Sequence, residues 1–306
     1  MFRYIVQRTL KSIPTLLALS LITFFMMRVA PGGPFSGNRR VPPEVRANIE
    51  HAFHLDDPIW LQYWHWIYGV LHFDFGPSFK YRDYSVTDLI VGGFPTSLEV
   101  GLWAMLISTF LGLILGTAGA LRRNTSVDYT AGALAMVGLA IPIYVIGPIG
   151  QIVFGLNLKW LPIAGWDGTW PYKIMPIITL ALPNIAYVSR LMRGSMIETV
   201  RTNYVRTARA KGIGERKTIL KHALKGAVMP VITYLGPATA ITITGSIVVE
   251  QIFQIPGIGR YFVDAAIGRD YPLVMGVTVF YGAIVIFANL FTDIVRGVLD
   301  PKVSYE

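Results

Sequence analysis

The chain contains no cysteine. Disulfides and thiolate metal sites are therefore excluded, and thiol usage says nothing about the redox compartment. Charge is scarce as well: Asp, Glu, Lys and Arg make up 15% of the 306 residues, against about 25% in an average soluble domain. No G-x-x-x-x-G-K-[ST] phosphate loop occurs, and the dipeptide Gly-Lys is absent altogether, so the chain does not bind ATP in that manner. His51 and His54 stand three apart with no matching pair and read as loop histidines rather than metal ligands. Gly257-Ile258-Gly259 does not extend to a dinucleotide fingerprint, because Phe262 occupies the third glycine position and no strand precedes it.

What is present in excess is apolar sequence, 53% of the chain. It is gathered into charge-free runs: 16 residues from Ser12 to Met27, 22 from Val100 to Leu121, 30 from Tyr129 to Leu158, 16 from Ile174 to Ser189, 24 from Gly226 to Val249 and 22 from Tyr271 to Thr292. Crossing a hydrocarbon core takes roughly 20 apolar residues in a helix. Both shorter runs have flanks that extend them. Arg3, Arg8 and Lys11 ahead of the first resemble the start of a signal peptide, but no small-x-small cleavage site follows Met27. Apolar residues on every face exclude the alternating pattern of a membrane β-barrel. The runs predict an all-α, polytopic membrane protein with six transmembrane helices. Their interiors are nearly free of ionisable groups, which disfavours a carrier driven by its own ion gradient. Asn184 and Asn289 are among the few polar amides there and read as bridges between helices.

Charge in the connecting segments predicts the orientation. With both termini cytoplasmic, the inner segments hold 17 Lys/Arg and 6 acids, and the outer segments 10 Lys/Arg and 12 acids, as the positive-inside rule requires. Most of the inner charge lies between Arg190 and Lys225, where ten basic residues face only Glu198 and Glu215. Nucleic acid is a poor partner for this segment, since Tyr204 and His222 are its only aromatic side chains. Anionic lipid and a docked protein remain. From Ser195 to Lys211 helix formers run without Gly or Pro, Gly212 and Gly214 break the run, and Glu215 to Lys225 reads as helix again. The small residues Ala208 and Ala210 ahead of the turn would let another surface approach, which favours docking over a lipid anchor with its bulky apolar face.

On the outer side, the segment from Pro31 to Phe94 is too long for a simple connector. Pro42, Pro43 and Glu44 look like a helix start, and Trp60, Tyr63, Trp64, Ile67 and Leu71 predict one aromatic face of an amphipathic helix at the membrane interface. The predicted divisions are residues 1–30 with the first span, 31–94 as the outer loop, and 95–306 as a five-helix core carrying the basic loop 190–225.

The run Tyr204-Val205-Arg206-Thr207-Ala208-Arg209-Ala210-Lys211-Gly212 resembles the signature loop of binding-protein-dependent ABC importer permeases, written E-A-A, three residues, then G. Ala208 matches the second alanine and Gly212 the glycine, while Arg206 and Thr207 replace the Glu and first Ala. The later I-x-L-P is altered too, to His222-Ala223-Leu224-Lys225 with a proline only at Pro230. These departures resemble the peptide and nickel branch of the family. Arg28-Val29-Ala30-Pro31-Gly32, Val249-Glu250-Gln251-Ile252-Phe253, Ile255-Pro256-Gly257-Ile258-Gly259-Arg260 and Arg269-Asp270-Tyr271-Pro272 agree with the same branch, so the similarity covers essentially the whole chain.

The resemblance implies a type I ABC importer permease fold in a bacterial inner membrane, and a non-enzymatic subunit of an ATPase-driven importer. Its partners would be a second homologous permease subunit, two cytoplasmic ATPases that use ATP and Mg, a periplasmic peptide-binding protein, the peptide itself and the lipid bilayer. No cofactor would be bound by this chain. Tyr204, Val205, Arg206, Thr207, Ala208, Arg209, Ala210, Lys211, Gly212 and Gly214 would form the ATPase-coupling loop. Glu250 and Asp264, on outer segments, are the candidates for contact with the binding protein. Oligopeptides are the expected substrate, with dipeptide, murein-peptide and nickel permeases as relatives, and an ion-coupled carrier or a channel as readings of another class.

Overall fold

The structure, a computed structural model, describes residues 2–29, 56–81, 83–244 and 246–299. The expected helix start at Pro42, Pro43 and Glu44, and His51 and His54, lie outside the described residues. Among those described, regular structure is helical apart from one isolated bridge between Pro77 and Ser85. The order is α1 (Phe2–Val29), α2 (Ile59–Leu71), α3 (Val86–Leu121), α4 (Ser126–Ala140), α5 (Ile143–Gly150) running into a π-helical Gln151–Asn157, α6 (Trp170–Thr199) and α7 (Asn203–Ala210). There follow α8 (Glu215–Lys217), a π-helical Thr218–Ala223, α9 (Leu224–Ala227), α10 (Met229–Thr244), α11 (Ile247–Phe253), α12 (Ile258–Gly268) and α13 (Tyr271–Leu299).

Four helices, α1, α3, α6 and α13, are long and apolar enough to cross a membrane, and six crossing elements result if each of two bent pairs counts as one. The longest charge-free run therefore does not form one straight helix. It bends by 101° between Ala140 and Ile143, because Ile141 precedes Pro142 and is held in extended backbone at φ −93°, ψ 119°, the region left to a residue ahead of proline. The second pair bends by 49° between Ala227 and Met229. There Pro230 falls in the first turn of α10, where its missing N–H is not needed. The long helices overrun their charge-free runs: α3 begins at Val86, taking in Asp88 and Glu99.

The chain divides into two compact units, residues 98–255 with 287–306, and residues 2–97 with 256–286. In the larger unit α6 is the hub, packed by α4, α5, α9, α10 and α11. In lipid, association between helices relies on close approach of small residues rather than on water exclusion. Gly112 and Gly116 of α3 show it. A Cβ at Gly112 would lie 2.6 Å from Val188, and one at Gly116 would lie 2.5 Å from the Ser189 carbonyl oxygen. One turn earlier on the same stripe, Ser108 Oγ donates to the Ala181 carbonyl at 3.1 Å. Asn184 bridges α6 to α10 as its sequence position suggested: Nδ2 donates to Thr242 Oγ1 at 3.2 Å and Oδ1 accepts from Tyr234 Oη at 2.9 Å.

In the smaller unit Phe75, Val86, Ile90, Ile258, Leu273 and Val277 form the core. Asp270, fully buried, ties the start of α13 to the preceding loop: it accepts from Ser78 Oγ, from the Lys80 amide at 3.1 Å and from the Leu273 amide at 3.3 Å. The aromatic face expected of α2 is divided. Tyr63 turns to α1, where its hydroxyl meets Ser20 Oγ at 2.8 Å and its ring lies edge-on to Phe24 at 5.3 Å, and Ile67 is buried. Trp60, Trp64 and Leu71, together with Tyr68, remain exposed. The boundary between the packed and exposed faces therefore runs through the stripe.

Candidate functional site

The basic segment folds as helix, turn and helix. Its first helix, α7, opens after a tight turn in which Thr202 donates through Oγ1 to the Thr199 carbonyl at 2.7 Å. Val205 and Ala208, three apart, fall on one face and are both buried, Val205 among Met192, Met196, Ala223, Ala227 and Val231. Arg206, Thr207, Arg209, Ala210 and Lys211 stay exposed. The sequence reading of Ala208 as part of an approachable surface is thereby corrected: it seats the helix on its own unit, and only Ala210 of the two alanines faces out. Tyr204 is half exposed and lies against Gly226, whose Cβ, if it had one, would stand 2.5 Å from Tyr204 Oη.

The turn is fixed by backbone chemistry. Gly212 sits in the left-handed region at φ +73°, its amide donates to the Arg209 carbonyl at 2.9 Å, and the Ile213 amide donates to the Ala208 carbonyl at 3.3 Å. This is the Schellman pattern, which glycine closes without the Cβ penalty. Across the turn Arg209 holds Glu215 with two bonds, Nη2 to Oε1 at 2.6 Å and Nε to Oε2 at 3.0 Å. Exposed pairs of this kind contribute only about 0–1 kcal/mol, so the pair orients the turn more than it stabilises the unit. Thr218 Oγ1 donates to the Ile213 carbonyl at 3.1 Å and is fully buried. Gly214 caps α8. The exposed rim is thus a rigid arc of Arg206, Arg209, Ala210, Lys211, Gly212 and Gly214, joined without a flexible linker to α6 on one side and α9 on the other.

A charged contact at the end of this unit was not found from the sequence. Arg193 of α6 donates to Asp128 at the start of α4, Nε to Oδ1 at 2.6 Å and Nη2 to Oδ2 at 2.7 Å, and the Asn124 amide adds a third bond at 3.0 Å. The available signal was a lone acid just after the basic Arg122-Arg123 pair. Lys173, nearly buried, likewise donates to Glu99 at 2.5 Å with Trp166 and Trp170 over its ammonium group at 5.5 and 5.8 Å.

Glu250 and Asp264 belong to different units and differ in access. Glu250 is fully buried, and its carboxylate accepts from Ser246 Oγ one turn back. It presents no surface to a partner, and the sequence reading of it as a contact is corrected. Residues 247–253 form a helix there instead of an open loop. Asp264 is half-buried and accepts from Tyr81 Oη at 3.4 Å. Burial, helped by the negative charge of Asp264, pushes the Tyr81 phenol above its ordinary pKa.

Comparison with known proteins agrees along the whole length. Residues 1–101 match the N-terminal family of binding-protein-dependent transport system membrane components, and residues 108–305 match the family described as binding-protein-dependent transport system inner membrane component. The oligopeptide transport system permease protein OppB of Escherichia coli K12 is 48% identical over 306 residues, covering 100% of both chains, and that of Haemophilus influenzae is 45% identical with the same coverage. The dipeptide transport system permease protein DppB of Bacillus subtilis is 43% identical, covering 99% of this chain and 98% of the relative. Among solved structures, the inward-facing MetNI methionine ABC transporter shares the fold, with a TM-score of 0.60 at 16% identity over 69% of this chain and 96% of that one. An amino acid ABC transporter superposes with a TM-score of 0.55 at 15% identity over 69% and 94%. The helical architecture, the basic helix-turn-helix and these matches agree: the chain is a multi-pass membrane protein of the binding-protein-dependent transport system inner membrane component family.

Proposed function

We propose that the chain is the permease subunit of an ATP-driven importer that carries oligopeptides across the inner membrane from a periplasmic binding protein. The observation that carries this reading is 48% identity over the full length of both chains to the oligopeptide permease protein. The 43% identity to a dipeptide permease supports peptides as the substrate class more broadly. Murein-peptide and nickel transport are the alternatives within the branch, and an ion-coupled carrier or a channel is the alternative outside it. The partners in this reading are an OppC-like second permease subunit, OppD- and OppF-like ATPases and an OppA-like binding protein. ATP and Mg are used by the ATPases, and this chain binds no cofactor. Both termini lie in the cytoplasm, which puts the basic segment there too.

The arc from Tyr204 to Gly214 then serves as the coupling loop. A ligand shifts a conformational equilibrium only by its differential affinity for the two states, so nucleotide acts on the spans through contacts the ATPases make with this arc. Because Val205 seats α7 on the cluster of Met192, Met196, Ala223 and Val231, displacement of the arc is carried to α6 and α10. Uniform apolar spans suit a path tolerant of peptide side chains, which leaves selection mainly to the binding protein. The test is ATP hydrolysis by the reconstituted complex with dipeptides, longer peptides and nickel. Stimulation by peptides of three or more residues supports the reading, and stimulation by nickel alone overturns it.

A further inference from the structure

Within the smaller unit, a cavity of about 150 Å³ opens where α1 ends, walled by Phe24, Arg28, Trp66, Phe75, Tyr271 and Met275 among others. Such a volume takes a benzene-sized group, so a peptide is too large for it. Its polar wall is mixed: Arg28 brings a positive charge, and Gln62, with its Oε1 buried, and His65 stand beside it. The Arg28 guanidinium, half-buried, stands 5.0 Å over the Phe24 ring and has no carboxylate partner among the described residues. Asp57 pairs instead with the wall residue His65, 3.6 Å from Nδ1. The Trp66 indole N–H is buried without an acceptor. A buried donor left unmade costs roughly 1–3 kcal/mol, and a desolvated guanidinium favours an anion with two oxygens that accept its paired N–H groups, a phosphodiester or a carboxylate.

Position narrows the ligand. Arg28 is the last basic residue of the apolar helix α1, at the level where a span gives way to headgroups. Beside the cavity the same helix that supplies Trp66 exposes Trp60, Trp64 and Tyr68, side chains suited to the membrane interface. We infer that this cavity binds one anionic glycerophospholipid, with its phosphodiester between Arg28 and the Trp66 N–H and its glyceryl carbons against Phe75 and Met275. The inference is independent of which substrate the transporter carries.

The test is native mass spectrometry of the full-length chain in its detergent-purified, delipidated transporter complex. Phosphatidylglycerol and phosphatidylcholine with the same acyl chains are titrated separately. Both lipids carry the phosphodiester, but the choline ammonium of phosphatidylcholine competes with Arg28 for it, so wild type should hold phosphatidylglycerol at least about tenfold more tightly. Arg28→Gln should remove that preference, Trp66→Phe should weaken it severalfold, and Lys80→Gln, a change to an exposed cation outside the cavity, should leave it intact. Trp66→Phe keeps the ring and decides the matter if Arg28→Gln fails to assemble. Equal binding of the two lipids by wild type, or a preference untouched by the cavity substitutions, overturns the inference. So does a loss of binding-protein affinity in Arg28→Gln with phosphatidylglycerol binding unchanged, which would assign the cavity to a protein carboxylate.

Discussion

Arg193 and Asp128 meet fork to fork, at 2.6 and 2.7 Å, and join the helix that leads into the basic segment to the start of α4. The pair holds the end of α6 where the arc begins. Asp128→Asn keeps the shape and removes the charge, and it should lower peptide-stimulated ATP hydrolysis severalfold with little effect on the basal rate. Exchanging the two residues, Asp128→Arg with Arg193→Asp, should recover part of the loss. Equal stimulation in the single variant and wild type would show that the pair does not hold the lever.

Gly212 separates two causes that are usually confounded. A Cβ there meets nothing within 4 Å, yet φ is +73°, so only backbone strain opposes substitution, about 1–2 kcal/mol for a residue that resists the left-handed region. Gly212→Asn should therefore assemble with the ATPases and respond to peptide nearly as wild type does. Gly212→Val should assemble poorly or lose stimulation. Pull-down of the ATPases and hydrolysis assays on both variants check this, and identical behaviour of the two would remove the turn from the mechanism.

The α3 stripe makes the opposite case, because space is what is missing. Gly116→Ala places a methyl group 2.5 Å from a backbone carbonyl and should lower thermal stability in detergent by about 1–3 kcal/mol through overpacking. Gly194 of α6 has nothing within 4 Å of a built Cβ, and Gly194→Ala should stabilise by about 0.5–1 kcal/mol. Thermal unfolding of both variants followed by tryptophan fluorescence reads the difference in sign.

Accessibility distinguishes Glu250 from Asp264. Carbodiimide coupling to an amine should label Asp264 and spare Glu250, as peptide mapping by mass spectrometry would show. Glu250→Gln should leave binding-protein affinity unchanged, since that side chain is enclosed. Labelling of Glu250 in the folded complex would contradict its burial.

The apolar runs located all the long helices, since composition alone decides which segments suit a bilayer, and the Gly-rich break located the turn at Gly212. Charge scarcity also marked Asn184 as a bridge. What composition did not carry was direction. A face read at helical spacing on α2 turned out to straddle the edge of α1, because Tyr63 answers to Ser20 and Phe24, more than 35 residues away in the chain. Glu250 looked like a loop carboxylate until the helix from Ile247 brought Ser246 to it. Arg193 was one of ten cations in its segment, and nothing local singled it out. Its partner lies 65 positions earlier. Pairings over such separations depend on which helices become neighbours, which a single sequence states only weakly.

The elbow at Ile141 and Pro142 bears on the parity of the chain. Its first arm has 15 residues, about 22 Å at 1.5 Å per residue, short of the roughly 30 Å hydrocarbon thickness. The pair crosses only as a bent whole. Were it to return to the side it left while the 49° pair still crossed, the number of crossings would be odd and the two ends of the protein would face different compartments. With no native cysteine to interfere, a single thiol placed near each end, probed with an impermeant maleimide, reads that parity directly.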